Sequence, residues 1–274
     1  MESIGIIAGN REFPLLVAKS ARREGVRRLY AVGFPGITSK ALPKLVDEMA
    51  WVGLGQLGKL VKFFEGRNVK TLMMVGQIPH RLALRSLKFD LEGLHFFRSQ
   101  KEKNAKTMLG GLIQQLEEKG FEFIDSTRFL KDELATEGAL TQLKPNDEMW
   151  DDLSYGFRLA RRLADLEAGQ TVIVKNGVLV ALEGMEGTDA AILRGGELAG
   201  KGIVVVKSAR ARQDMRYDVP VVGLETLRAL KKARAAVLGI EACRTLILSK
   251  KEFIKEAEKM GLAVVGLGES SCKS

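Results

Sequence analysis

Apolar runs of strand length alternate with amphipathic segments of helical period through the first 130 or so residues. The four runs are SIGIIAG (3–9), RRLYAVGF (27–34), EMAWVGL (48–54) and KTLMMVGQ (70–77). Helical patterns follow at 13–25 and 56–67, and a third at 105–120 leads into FEFID (121–125). Apolar strands separated by helices are typical of a parallel sheet covered on both faces. The pattern predicts an α/β, Rossmann-like N-terminal domain over residues 1–134.

The second half of the chain has a different pattern. Residues 135–152, ATEGALTQLKPNDEMWDD, are polar and contain a glycine and a proline, so they are expected to form a linker. A C-terminal domain over 153–274 then opens with a hairpin, because Asn176-Gly177 separates two β-rich runs. Later strand and helix patterns make this second domain mixed α/β.

Several classes of protein are disfavoured. No stretch reaches the roughly 18 to 20 apolar residues of a membrane span. Cys243 and Cys272 lack metal-ligand spacing and are expected to be free thiols in a reducing cytosol. His80 and His95 have no paired spacing, and neither a Walker motif nor G-x-S-x-G is present. Any acid–base or metal chemistry must therefore use carboxylates.

The formal net charge of +9 predicts affinity for polyanions, although a solvated Lys/Glu-rich surface is the plainer interpretation. Nucleic acid is an unfavoured partner, because only 6% of residues are aromatic and the basic residues are dispersed. A nucleotide-dependent oxidoreductase is also disfavoured, since the first strand–helix turn has Gly9 alone in place of G-x-G-x-x-G.

Polar residues and glycines follow two of the predicted parallel strands. Gly9 and Asn10 end the first strand, and Gly76 and Gln77 end the fourth. Ligands of open α/β sheets bind at the carboxyl ends of strands, so these four residues are candidate substrate contacts. A purely structural turn is the alternative.

Two motifs in the second half carry carboxylates. In EGTD, Thr188 is a predicted helix N-cap and Asp189 falls in the first helical turn. The Asp189 carboxylate would either interact favourably with the helix dipole or point into a cleft. In RQDMRYDVP, a continuing strand would place Asp214, Arg216 and Asp218 on one face. That face is either a solvated edge or a site where the carboxylates hold a divalent cation and the guanidinium meets phosphate.

The strings EGTDAAILR and QDMRYDVPVVGLETL resemble the signature of the LpxI family. The matching residues are Glu186, Gly187, Thr188, Asp189, Arg194, Gln213, Asp214, Arg216, Asp218, Pro220, Gly223 and Thr226, with Tyr217 in place of a usual Phe. The resemblance implies Mg²⁺-dependent hydrolysis of UDP-2,3-diacylglucosamine to UMP and 2,3-diacylglucosamine 1-phosphate (lipid X) in lipid A biosynthesis, with Mn²⁺ as an alternative ion.

The resemblance also implies roles for residues. Asp214 is the expected essential carboxylate, as a metal ligand or as the base for water, and Asp189 and Asp218 are expected to be further metal or water contacts. Gln213 and Arg216 would bind phosphate or brace the carboxylates. Thr188 and Thr226 of the matching strings are further expected substrate contacts, and so are Lys175 and Lys207 because they lie in the same half of the chain.

A diacylated substrate implies a cytoplasmic protein that works peripherally at the inner-membrane surface, which the positive charge suits. The sequence leaves the oligomeric state open, and a homodimer is the base-rate expectation. A nonenzymatic carrier of nucleotide sugar or lipid on the same fold is the alternative function.

Overall fold

The protein divides into two compact units in a computed structural model that describes residues 2–78, 88–100 and 105–268. The first unit comprises residues 1–130 together with 215–217, and the second comprises 131–214 and 218–274. The segment 135–152, expected to be a linker, lies inside the second unit. It forms a short strand and the start of a long helix, so its polar residues mark an exposed edge of a folded unit.

The sheet of the first unit has five strands, all parallel, in the order β3-β2-β1-β4-β5. The strands are β1 (Ser3–Ala8), β2 (Arg28–Gly33), β3 (Glu48–Trp51), β4 (Thr71–Val75) and β5 (Glu122–Phe123). This order confirms the Rossmann-like prediction, and it places the point where the strand order reverses between β1 and β4.

Four helices accompany this sheet in the described part of the first unit. They are α1 (Phe13–Arg23), α2 (Leu57–Glu65), α3 (Leu91–Ser99) and α4 (Ala105–Glu118). In α2, Leu60, Val61 and Phe64 recur at helical spacing and are buried. With apolar residues of β1, β2 and β4 they form the core of this unit.

A six-stranded sheet forms the centre of the second unit, in the order β6-β13-β11-β9-β7-β8. The strands are β6 (Gly138–Ala139), β7 (Thr171–Lys175), β8 (Val178–Leu182), β9 (Val204–Lys207), β11 (Val237–Glu241) and β13 (Ala263–Leu267). The three central strands β9, β11 and β13 are parallel, whereas β6, β7 and β8 pair antiparallel with their neighbours. Two short strands, β10 (Val221–Val222) and β12 (Leu246–Ile247), pair separately. The predicted mixed α/β architecture is confirmed.

Helices cover both faces of this sheet. They are α5 (Asp147–Asp165), α6 (Thr188–Ala199), α7 (Leu224–Lys232) and α8 (Lys250–Lys259). Leu153 and Phe157 of α5 pack against one face, and α6, α7 and α8 pack against the other. Among the residues that the structure describes, no helix combines the length and apolar character that a membrane crossing requires.

The β7–β8 hairpin forms as its Asn-Gly pair predicts, and helix α5 fastens its turn. Asn176 and Gly177 have positive φ values of 51° and 75°. The Asp152 carboxylate accepts hydrogen bonds from the backbone N–H groups of both residues, at 2.9 and 2.6 Å. Asp152 is buried, so these charge-assisted hydrogen bonds replace its lost hydration.

Replacement of Asp152 by alanine is expected to lower the free energy of unfolding by about 2–4 kcal/mol, because hydrogen bonds to a charged group contribute roughly 1.5–3 kcal/mol each and two buried N–H groups lose their acceptor. Urea unfolding monitored by circular dichroism measures this change. The neighbouring Asp151 is exposed, so Asp151→Ala is the matched control and should shift stability by less than about 0.5 kcal/mol. Equal effects of the two variants would contradict the stabilising role of the hydrogen bonds between Asp152 and the hairpin turn.

Candidate functional site

The ends of β1 and β4 meet at the carboxyl edge of the first sheet. Gly9 N–H donates to the carbonyl of Val75 at 2.7 Å, and Asn10 N–H donates to the carbonyl of Gln77 at 2.8 Å. The Asn10 side-chain oxygen accepts from Gln77 N–H at 3.2 Å. The structure therefore brings together all four residues predicted at these strand ends.

Two glycines make this close approach possible. A Cβ atom on Gly9 would lie 2.5 Å from the carbonyl carbon of Gly76. Gly76 has φ +85°, and a Cβ there would lie 2.7 Å from the carbonyl oxygen of Asn10. The edge is thus lined by backbone, at the switch point where doubly wound sheets bind ligands. The substrate contact of these residues remains a prediction.

In the second unit, the Thr188 hydroxyl contacts three other polar side chains. We call these four residues the Thr188 cluster: Thr171, Glu183, Thr188 and Lys207. Lys207 Nζ donates to Thr188 Oγ1 at 2.7 Å. Thr188 Oγ1 donates to Glu183 Oε1 at 3.0 Å. The Thr171 hydroxyl lies 3.4 Å from Thr188 Oγ1. β7 runs antiparallel to β9 with Thr171 opposite Lys207, which is why these residues meet.

Lys207 is a buried cation at the carboxyl end of a parallel strand, with 7% of its surface exposed. Within residues 2–78, 88–100 and 105–268, no carboxylate lies within ion-pair distance of its ammonium. A buried charge without a counter-charge is costly. The position therefore favours an anionic ligand.

The EGTD segment leads from β8 into α6, although the predicted cap is displaced by one residue. Gly187, with φ +85°, is the N-cap, and Thr188 is the first helical residue. The Thr188 hydroxyl is used by Lys207 and Glu183, so it does not cap the helix. Asp189 lies half-buried in the first turn. Its carboxylate has no hydrogen-bond or ion-pair partner in the described part of the chain.

Glu186 of the same segment pairs with Arg194 across the first turns of α6. Arg194 donates to Glu186 Oε1 at 2.6 Å and to the carbonyl of Leu182 at 2.8 Å. The hydrogen bond from Arg194 is the main cause of a lowered pKa of the Glu186 carboxyl. This pair braces the connection between β8 and α6.

Two predicted substrate contacts lie apart from the Thr188 cluster. Lys175 is at the other end of β7, where its ammonium donates to the carbonyls of Ala199 and Lys201 at 2.6 and 3.0 Å. It closes the C-terminus of α6, which is a structural use of a lysine. Thr226 is buried in the first turn of α7. No hydrogen bond between described residues connects it to Lys207.

The expectation that β9 continues through RQDMRYDVP is wrong. The strand ends at Lys207, and residues 215–217 form a turn closed by Asp218 N–H, which donates to the carbonyl of Asp214 at 3.0 Å. A hydrogen bond between residues four apart is incompatible with an extended strand. Asp214, Arg216 and Asp218 therefore do not form one face of a strand.

A buried carboxylate redirects the chain after β9. Glu241, at the end of β11, accepts from Ser208 Oγ at 2.6 Å and from Ala209 N–H at 2.7 Å. Beyond this anchor, Gln213 accepts from Arg210 N–H at 2.9 Å and donates to the carbonyl of Asp218. Gln213 thus braces the backbone of the loop from Lys207 to Pro220, hereafter the motif loop; its predicted contact with phosphate or with the carboxylates stays a prediction.

The side chain of Asp218 faces a cation. Arg210 lies 2.9 Å from its carboxylate, and both side chains are largely shielded from solvent. The Nε atom of Arg210 is buried without a hydrogen-bond partner in the described structure. One N–H group of the Arg210 guanidinium, within the motif loop, is therefore buried without a hydrogen-bond acceptor among the described residues.

Residues 215–217 belong to the first unit, while Asp214 and Asp218 on either side belong to the second. Inside the first unit, Ser126 N–H donates to the carbonyl of Met215 at 3.0 Å, and the Ser126 hydroxyl lies between the carbonyls of Met74 and Arg216, at 2.6 and 2.7 Å. Arg216 pairs with Glu117 at 2.8 Å, with both side chains partly exposed. Arg216 is therefore directed to an α4 carboxylate in this structure.

The three predicted metal ligands do not form a cluster. Among the described residues, no group of three or more His, Cys, Asp or Glu side chains is placed to hold a metal ion. Asp189, Asp214 and Asp218 thus do not make a preformed three-carboxylate site.

Sequence reasoning did not single out Glu183, Arg210, Glu241 or Ser126. For Glu241 a signal exists, because it is a carboxylate that ends the apolar run VLGIE at the carboxyl edge of a parallel sheet. Glu183 directly follows the second hairpin strand in a similar way. The contacts of Ser126 with residues some 90 positions later give no local signal.

The strand order defines a two-domain α/β protein that carries polar residues at the carboxyl edges of its sheets, where ligands of such folds bind. Family models for the LpxI N-terminal domain and the LpxI C-terminal domain match residues 3–133 and 136–265. The chain belongs to the LpxI family.

A curated relative covers nearly the whole molecule. The UDP-2,3-diacylglucosamine pyrophosphatase LpxI of Caulobacter vibrioides is 29% identical over 282 residues, which is 97% of this chain and 98% of the relative. The match includes both units.

Solved structures are similar only at a low level. A biotin carboxylase from Campylobacter jejuni has 12% identity and a TM-score of 0.29, covering 72% of this chain and 42% of that one. An N5-carboxyaminoimidazole ribonucleotide synthetase from Thermotoga maritima has 15% identity and a TM-score of 0.25, covering 66% and 41%. The chain thus spans about two fifths of these proteins. The similarity is too low to indicate a shared function.

Gly76→Ala is expected to destabilise the protein more than Gly25→Ala. Both glycines have nearly the same φ, +85° and +84°, but a Cβ meets backbone only at Gly76. The left-handed conformation costs alanine about 1–2 kcal/mol in both variants, and the clash at the strand ends adds to this cost at Gly76. Chemical denaturation compares the two, and equal destabilisation would show that the β1–β4 edge tolerates a side chain.

Proposed function

We propose that this protein hydrolyses the diphosphate of UDP-2,3-diacylglucosamine, releasing UMP and 2,3-diacylglucosamine 1-phosphate (lipid X). Family membership and the likeness to a curated pyrophosphatase over 97% of the chain make it an enzyme, a hydrolase. The role in lipid A synthesis follows from the same relationship.

The structural observation that carries the proposal is the buried Lys207 ammonium. A diphosphate is a strong anion, and a lysine held at a strand end by a neutral hydroxyl can neutralise one of its oxygens. Such a donor stabilises charge that develops on the phosphate as the bond to the leaving group breaks. Lys207 is therefore the proposed phosphate contact, with Thr188 beside it.

The donor chemistry fits Mg²⁺, with Mn²⁺ as the alternative. Mg²⁺ takes oxygen ligands and usually only one or two protein carboxylates, together with water and substrate phosphate. Asp214 is the proposed carboxylate, with Asp189 and Asp218 as further contacts; the Asp218 carboxylate would have to share Arg210. When bound, the ion would neutralise phosphate oxygens.

The other predicted residues have supporting roles in the proposal. Asp214 either ligates the ion or accepts a proton from the attacking water. Gln213 keeps the motif loop in shape through Arg210 and Asp218. Gly9, Asn10, Gly76 and Gln77 are proposed substrate contacts, because their backbone lies at a strand-order switch point.

Purified protein is expected to release UMP from UDP-2,3-diacylglucosamine in the presence of Mg²⁺, and this release is expected to stop when EDTA is added. Asp214→Ala should lower the turnover by at least about 100-fold, the cost of losing one preorganised catalytic group, while Asp151→Ala should retain wild-type rates. Chromatographic quantification of UMP measures both.

Full activity of Asp214→Ala with normal metal dependence would contradict the assignment of Asp214. Absence of UMP, with lipid or nucleotide co-purifying with the protein, would instead favour a nonenzymatic carrier on the same fold.

Peripheral association with the inner membrane is part of the proposal. The net charge of +9 suits an anionic lipid surface. Two exposed apolar side chains flank the end of the sheet that carries Lys207: Leu166 at 77% and Met185 at 99% exposure. Leu166 lies three residues before Gly169 and Met185 two residues after Glu183, and Gly169 packs against the backbone of Glu183.

Replacing Leu166 and Met185 together by serine is expected to weaken binding to phosphatidylglycerol-containing vesicles several-fold, since each loses an apolar contact with lipid. The matched control is Val178→Ser with Leu198→Ser, which are 62% and 67% exposed and lie near Lys175 at the far end of α6. Vesicle flotation measures binding. An equal loss in both double variants would refute docking through the Lys207 end.

A further inference from the structure

We propose that Glu183 is a positioning residue that orients Lys207 for a phosphate oxygen through the hydroxyl of Thr188. This inference rests on the proposed function, because it takes the ligand of Lys207 to be a phosphate. Glu183 itself need not contact the substrate.

Hydrogen-bond direction in the Thr188 cluster is determined by Lys207 and Glu183. A threonine hydroxyl has one hydrogen and two lone pairs, and an ammonium can only donate. The Thr188 hydrogen is directed to Glu183 Oε1 at 3.0 Å, so its lone pairs are left for Lys207 at 2.7 Å and for Thr171. Without an acceptor at Glu183, the hydroxyl could rotate and the lysine would lose its fixed partner.

The position of Glu183 is itself restrained by the sheet. Its Oε2 atom accepts from Gln170 N–H at 3.2 Å, and its own N–H donates to the carbonyl of Thr171 at 2.8 Å. The carboxylate is therefore held by Gln170 N–H, and the backbone of the same residue is held by Thr171. A rigidly held acceptor gives the hydroxyl one preferred orientation.

The negative charge of Glu183 also supports a role in holding the Lys207 ammonium. Glu183 is the carboxylate connected to Lys207 through a single intervening hydroxyl, so it offsets part of the cost of burying the ammonium. The other two N–H groups of Lys207 have no acceptor among the residues that the structure describes. They remain available for phosphate oxygens, which is the geometry that a preorganised phosphate contact requires.

A double-mutant cycle tests this inference with four enzymes: wild type, Glu183→Ala, Lys207→Met and the double variant. We expect kcat/KM for UDP-2,3-diacylglucosamine to fall on the order of 10-fold in Glu183→Ala and 100-fold in Lys207→Met. The double variant should be no worse than Lys207→Met, because residues that act through one another are not additive. A further 10-fold loss in the double variant would overturn the proposal.

Glu183→Gln is the conservative control, since its amide oxygen can still accept from Thr188. It loses the charge and the acceptor for Gln170 N–H, so its kcat/KM should lie between the values for wild type and Glu183→Ala. A glutamine variant as impaired as the alanine variant would overturn the proposed orientation of the hydroxyl. Thermal unfolding of each variant identifies loss of fold.

UDP binding separates this inference from the proposed function. If wild type releases no UMP, the proposed hydrolysis fails, but calorimetry with UDP still tests the cluster. Glu183→Ala is then expected to weaken UDP binding, and Lys207→Met to weaken it at least as much. Wild-type UDP affinity in Glu183→Ala would reject the positioning role whatever the activity.

Discussion

Parallel pairing of the central strands is the constraint on which the rest of this molecule depends. Parallel strands end at one edge, so residues far apart in sequence become neighbours there without any local signal. In the first unit this edge unites Gly9 with Gly76. In the second it places Lys207 of β9 beside the strand that ends in Glu241. Polar side chains occur at these edges because the strands themselves are buried on both faces.

Burial of Lys207 shows how the second unit tolerates a charge in its interior. The ammonium donates to a hydroxyl, and the hydroxyl in turn donates to a carboxylate, so the two charges are linked without direct contact. A direct ion pair would compete with an incoming phosphate for the lysine. The indirect link instead keeps the cation in place while leaving part of its hydrogen-bonding capacity for a ligand.

The sequence predicted those features that depend on local pattern. Strands, helices and the Asn176-Gly177 turn follow from apolar periodicity and backbone preference, and the meeting of Gly9 with Gly76 follows from the parallel topology. The path after Lys207 could not be predicted, because it is set by hydrogen bonds from Ser208 and Ala209 to Glu241, more than 30 residues away. Lys175 is likewise a residue type that binds phosphate, but β7 runs antiparallel to β9, so Lys175 lies at the opposite end of the sheet from Lys207.

The assignment of residues 215–217 to the first unit has a consequence for how this chain can be divided. The N–H of Ser126 donates to the carbonyl of Met215 in this segment, and Tyr217 packs with the apolar core of the first unit. A fragment that ends at residue 130 would therefore lack part of its own fold, and a fragment that begins there would carry three residues whose partners are missing. Expression of either half alone would therefore separate segments that fold together in the intact chain.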